Sequence, residues 1–244
     1  VYEGRGPHGS VYMNLNVEQK ARRFFVNFDK KFFAKFFWRQ HPESALRYIP
    51  VVKIIKSKEL RDSKILEVGS GSLGIVPYLR RKIDGVDVDF GGPQTSLLNK
   101  IKGNAQNLPF RKNSYDVVIS VDVLEHLESQ IRMQVISEVL RIAKQLAIIV
   151  VPAGKYAQLQ DKKLNSIWEK THGNKNQFLQ EHLKFGLPTT DQILVDIDKS
   201  LRKLRKNAKI DSFPILNLNV REILMRTWIT NNKYLYYLYM KGYL

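Results

Sequence analysis

A chain of 244 residues, 43% hydrophobic and 26% charged, is long enough to bury one substantial core and too apolar for global disorder. It has no cysteine, which excludes disulfides and thiolate metal sites and makes a cytoplasmic location the expectation; its longest clean apolar run, LAIIVVP at 146–152, is far short of the roughly 20 residues of a membrane span. A net charge of +17 attracts phosphates, nucleic acid or an anionic membrane surface over long range, although solvated lysines in a lysine-rich composition account for it equally well.

In chain order, residues 1–12 contain GRGPHGS, which reads as an expression remnant ahead of a native start at Met13 and is set aside. Val17 to Arg39 has helical periodicity, with Phe24, Phe25, Phe28, Phe32 and Phe36 on one broad face, and Pro42 ends it. A second helical pattern from Glu43 to Leu60 is interrupted by Pro50, so 13–60 forms a helical N-terminal segment. Short apolar runs then alternate with helical ones. Strands are expected at KILEVG from Lys64, GVDVD from Gly85, DVVISV from Asp116 and LAIIVVP from Leu146, with helices at Leu73–Lys82, Gln94–Ile101 and Gln130–Lys144. This is the βαβ pattern of an α/β fold: a Rossmann-like, doubly wound, mostly parallel sheet with helical N-terminal and C-terminal additions. The core spans 61–154; 155–244 completes the sheet with a late strand at Lys209–Ile215 and adds helices at Lys155–Thr171, Thr189–Lys203 and Val220–Tyr239.

The stretch Ile65 to Gly74, ILEVGSGSLG, runs a strand into a G-x-G-x-x-G turn, a device that lets backbone approach a ligand and offers N–H groups of a helix start to a negative group. Dinucleotides use it, with an acid about 20 residues on, and Asp87 has almost that offset. Glu67, however, would set a carboxylate beside a pyrophosphate, an unhelpful repulsion. A ligand carrying an ammonium and a sulfonium tolerates it.

EVGSGSLG followed by GVDVD and by GNAQNLPFRKNSYDVVISVDVLEHL, Gly103 to Leu127, resembles the class I S-adenosylmethionine-dependent methyltransferases. The resemblance covers about Ile65 to Gly154. It implies S-adenosyl-L-methionine as cofactor, bound by Glu67, Gly69, Ser70, Gly71, Asp87, Val88, Asn104, Ala105, Val121 and Asp122. Asp87 would accept both ribose hydroxyls, with Asp89 as competitor; Asn104 stands where Asp commonly binds the adenine amine; Ser120 to Asp122 would face the methionine end. No metal is implied.

Methyl transfer from a sulfonium is an in-line displacement that requires alignment and a deprotonated acceptor. In some small-molecule members of the family the LEH histidine, here His126, contacts the acceptor or acts as base. His182, in EHLKFGLPTTDQI, is the second candidate, in an expected lid after the fifth strand. The acceptor is expected to be a small molecule or a glycan-type or lipid-linked compound, methylated on O or N. RNA methylation, suggested by basic and aromatic residues together with the tail YLYYLYMKGYL, is the alternative, and peripheral membrane contact is the other use of such a surface. A noncatalytic binding protein of the same fold and a nicotinamide-dependent oxidoreductase are the remaining readings.

Overall fold

The computed structural model describes residues 42–230. The expected remnant, the Phe-rich helix and the Tyr-rich tail lie outside the described residues. Five strands, β1 (Ile65–Val68), β2 (Ile83–Asp87), β3 (Leu98–Lys102), β4 (Tyr115–Val121) and β5 (Ala143–Val150), form one all-parallel sheet in the order β3-β2-β1-β4-β5. β1 is buried along its whole length and β4 nearly so, as continuous apolar runs covered on both faces must be. Leu66, Val68, Val86, Val118, Val139 and Ile142 form the heart of one core cluster.

Helix α1 (Pro42–Ser57) runs straight through Pro50, where an interruption was expected. An internal proline costs a helix about 3 kcal/mol. Burying Tyr48, Val51, Val52 and Ile55 on one face stabilises it by about 1.5–3 kcal/mol per large side chain, so burial wins. Helix α2 (Val76–Leu79) is a single turn rather than the helix expected over Leu73–Lys82. The helix expected at Gln94–Ile101 is instead the edge strand β3, paired in register from Ile83↔Leu98 to Asp87↔Lys102. LNKIK carries little apolar pattern, and pairing with β2, together with burial of Leu98, overrides its helical propensity.

Helix α3 (Ser129–Ile142) precedes β5, and α4 (Gly154–His172), α5 (Gln177–Phe185), α6 (Thr190–Leu204) and α7 (Leu218–Ile229) follow it. Thr189 caps α6 in a capping box with Gln192. The strand expected at Lys209–Ile215 is absent: that segment is irregular, and among the described residues no strand follows Val150. Its side chains from Lys209 to Pro214 are exposed, so no buried face rewards pairing.

Candidate active site

Strand order reverses between β1, whose successor lies on one side, and β4, whose successor lies on the other. The crevice outside their carboxyl ends is where a parallel sheet of this kind accepts ligands. Gly69 ends β1 with φ +75°, its N–H donated to Val86 O at 2.8 Å; a Cβ there would lie 2.2 Å from Val123 Cγ2, so only glycine fits. Gly71 also has a positive φ, +52°, but a Cβ there would meet nothing within 4 Å: this part of the turn faces open space.

Two N–H groups of the turn are already engaged. Gly71 N–H donates to Asp87 Oδ2 at 2.7 Å, and Ile75 N–H, at the start of α2, donates to Glu67 Oε2 at 2.7 Å. Glu67 is fully buried, and its Oε1 accepts the Tyr48 hydroxyl at 2.9 Å. Burial pushes its carboxyl up to about 8, against the lowering effect of these two hydrogen bonds, with Asp87 and Asp122 adding to the rise. The carboxylate thus braces the loop from within: a Cβ on Gly74 would lie 2.0 Å from Glu67 Oε2. Where an anion-binding turn was expected, two carboxylates occupy the donors.

At the end of β4, Asp122 adopts a left-handed φ of +54° and pairs with Arg47 at 2.7 Å. A short 3-10 turn, Leu124–His126, follows. Buried Arg132 holds it, donating from Nε to Leu124 O (2.9 Å) and Leu127 O (3.1 Å) and from a terminal nitrogen to Phe185 O at the end of α5. The turn and α5 are thereby tied together, and the rings of His126 and His182 lie 4.8 Å apart. His126 Nδ1 bonds Glu181 Oε2 at 2.7 Å; His182 Nδ1 bonds Asp161 Oδ2 at 2.7 Å, and Asp161 also pairs with Arg221 at 2.7 Å. Burial, then the neighbouring His182, holds the His126 imidazole below its ordinary pKa. A Glu125 carboxyl oxygen lies within 4.8 Å of a nitrogen of each ring; the side chain is buried, its carboxyl driven far up by burial and then by Asp122.

Residues 66–151, about a third of the chain, match the family model described as a methyltransferase domain. This part of the chain is similar to a methyltransferase domain. The class I S-adenosylmethionine-dependent resemblance drawn from its motifs is therefore borne out, and so is the parallel α/β fold. Among solved structures, a Thermotoga maritima SAM-dependent methyltransferase, described as a possible histamine N-methyltransferase, is 20% identical over 72% of this chain and 77% of its own, with a TM-score of 0.44. The methyltransferase domain of bacterial CtHen1-CN is 18% identical over 68% of this chain and 91% of its own (TM-score 0.45), and a Pyrococcus horikoshii protein is 16% identical over 62% and 81% (TM-score 0.41). No curated protein matches.

Within the methyltransferase domain, the residues proposed from sequence for the cofactor fall into distinct surroundings. Glu67, Gly69, Gly71, Asp87, Val121 and Asp122 gather at the ends of β1, β2 and β4. Ser70 is buried, its hydroxyl bonded to Gly71 O and its side chain close over Gly85. Val88 is 63% exposed beside Asp87, whose Oδ1 accepts the Asp89 N–H at 3.1 Å; Asp89 itself turns to Gly91 N. Asn104 spends a carbonyl lone pair on Gln106 N at 2.9 Å, and Ala105 packs against two core clusters. Arg47, Tyr48, Arg132, Asp161 and Glu181 carry much of the geometry, and sequence reasoning missed all five. Four of them lie on helices well separated in sequence from the groups they hold, and Arg132, five and eight residues from the carbonyls of the turn, joins them to Phe185 far along the chain, so no periodic spacing signals any of the five.

Proposed function

We propose that this chain is an S-adenosylmethionine-dependent methyltransferase acting on an oxygen or nitrogen of a small-molecule or glycan-type acceptor. One observation carries the reading: the glycine loop donates Gly71 N–H and Ile75 N–H to its own carboxylates, Asp87 and Glu67. A pyrophosphate would find those donors taken and meet the Asp87 carboxylate, whereas a ligand with positive charges gains from Asp87 and from Glu67 once it ionises. The open space beside Gly71, flanked by Asp87, fits a nucleoside whose ribose hydroxyls donate to that carboxylate.

S-adenosylmethionine, when bound, supplies an electrophilic methyl group on a sulfonium. Asp87 orients the ribose; Asp122, at the tip of β4, favours the cationic end, and Glu67, protonated near neutral pH in the free fold, adds its charge once a cation beside it lowers its pKa. His126 and His182 present their ring nitrogens beyond β4, each oriented by a carboxylate on Nδ1 as a general base is oriented in a catalytic triad. They position the acceptor or take its proton. Calorimetry with S-adenosylmethionine and, in parallel, NAD tests the cofactor: saturable binding of the first alone is expected, and NAD binding in its place would overturn the reading. On an identified acceptor, alanine at His126 and at His182 should each depress turnover by about 10²-fold or more; unchanged turnover in both removes their role.

A further inference from the structure

We propose that Glu125, His126 and His182 form a binding site for one divalent transition-metal cation. One ligand atom from each side chain lies within 4.8 Å of the others. The hydrogen bonds around the cluster define which atoms these are. The Nδ1 atoms of both histidines face carboxylate oxygens, Glu181 Oε2 and Asp161 Oδ2, which accept and cannot donate, so Nδ1 carries the proton in each ring. In the neutral imidazole Nε2 is then a bare lone pair. His182 Nε2 and Glu125 Oε2 are both buried and have no hydrogen-bond partner, on residues only 7% and 1% exposed.

With Glu125 ionised, these electron-rich atoms have no donor between them and are costly to bury. A cation removes that cost. Carboxylate–histidine pairs that fix tautomer and ring direction are the outer shell that metal-ligating histidines use, and here there are two, the second extended through Asp161 to Arg221. Ligand atoms bonded at about 2.1 Å stand roughly 3–3.5 Å apart, so the widest separation must contract by up to about 1.3–1.8 Å, which side-chain rotation can supply. Two imidazoles and a carboxylate, with no thiolate, select Mn²⁺, Fe²⁺, Co²⁺ or Zn²⁺ over Mg²⁺ or Ca²⁺ and leave positions open. Those positions lie past the end of β4. In the part of this inference that rests on the methyltransferase reading, they take an oxygen or nitrogen of the acceptor, and the histidines act as ligands.

The test uses the full chain, dialysed against chelator and titrated with Co²⁺ and with Zn²⁺. We expect one equivalent to bind, Co²⁺ to develop ligand-field absorption, and the Zn²⁺ form to melt higher. Glu125→Gln, His126→Ala and His182→Ala should each weaken binding at least tenfold, and Glu181→Gln, which leaves all three ligands in place, by about 10-fold to 100-fold. His172→Ala, which alters a histidine bonded to Ile229 O, should change nothing. No saturable uptake of either metal by the unaltered chain at millimolar concentration overturns the inference without any variant having to fold, as does undiminished uptake in a folded triple variant. S-adenosylmethionine calorimetry on the same samples separates the two ideas: cofactor binding without metal uptake sinks only the metal site, and metal uptake without cofactor binding sinks only the methyltransferase reading.

Discussion

Tyr48 donates its hydroxyl to Glu67 Oε1 at 2.9 Å, joining α1 to the tip of β1 at a carboxyl that also receives the N–H of Ile75, the residue preceding α2. The next residue back, Arg47, pairs with Asp122 at the tip of β4. Two consecutive side chains of one helix therefore hold the acids on both sides of the crevice. Tyr48 is itself buried and stacks on Tyr78 with ring centroids 5.4 Å apart, which fixes the direction of its hydroxyl.

Removing that hydroxyl leaves Glu67 one donor short in a site without water access. Tyr48→Phe is expected to destabilise the fold by about 1–3 kcal/mol while preserving its secondary structure. Denaturant titration followed by circular dichroism measures this; a midpoint equal to the parent's would mean the bond contributes nothing.

Glu67 gives a pH dependence with a definite sign. Its carboxyl sits at about 8 in the fold against an ordinary 4.5, so the folded state favours the protonated form. Its contribution to stability is fully present below about 4.5 and is lost as pH rises to about 8, amounting to a few kcal/mol at most. The charged and titratable groups facing it are Tyr48 from α1, Asp87 from β2 and Asp122 from β4, the last paired with Arg47. Glu67→Gln keeps the bond from Ile75 N–H, with its amide NH2 turned to donate to the Tyr48 hydroxyl oxygen, and should flatten the profile between pH 5 and 8. A cationic ligand placed beside Glu67 lowers its pKa, so binding near neutral pH should release a proton; calorimetry in buffers of different ionisation enthalpy counts it.

Gly69 and Gly71 separate folding from binding. Alanine at 69 drives its Cβ into Val123 at a strained φ and should cost several kcal/mol of stability. Alanine at 71 meets no atom, so it should cost only about 1–2 kcal/mol of backbone strain but project into the crevice and weaken S-adenosylmethionine binding at least tenfold. Equal stability losses with unchanged cofactor affinity would contradict the placement of the ligand beside Gly71.

Asp87→Ala removes the expected ribose acceptor together with the bond to Gly71 N–H. Affinity for S-adenosylmethionine should fall by on the order of 2 kcal/mol, roughly 30-fold. Asp89→Ala should leave it unchanged, because that side chain turns to Gly91. The reverse result would transfer the ribose role to Asp89.

Much of this was legible in the chain itself. ILEVGSGSLG, GVDVD and DVVISVDVLEHL carry short-range information: a buried strand must be apolar, a tight turn beside another backbone needs glycine, and each strand end delivers its acid to the same edge of a parallel sheet. Those constraints act between near neighbours and leave a pattern, so β1, β2, β4 and the switch-point crevice could be anticipated. β3 could not, since an edge strand such as LNKIK owes its form to the partner it pairs with; nor could the continuity of α1 through Pro50, which depends on what its apolar face meets. The same holds at the site. The sequence by itself determined that acids and glycines would line the end of the sheet, and that two histidines were available. Only tertiary structure decided that Glu67 and Asp87 take up two of the loop's own N–H groups, and that Glu181 and Asp161, on separate helices, bond the Nδ1 atoms of two imidazoles that lie close to Glu125. Hydrogen bonds and charge pairs depend on distance in space, and residues 55 or 21 positions apart leave no periodic trace of their meeting.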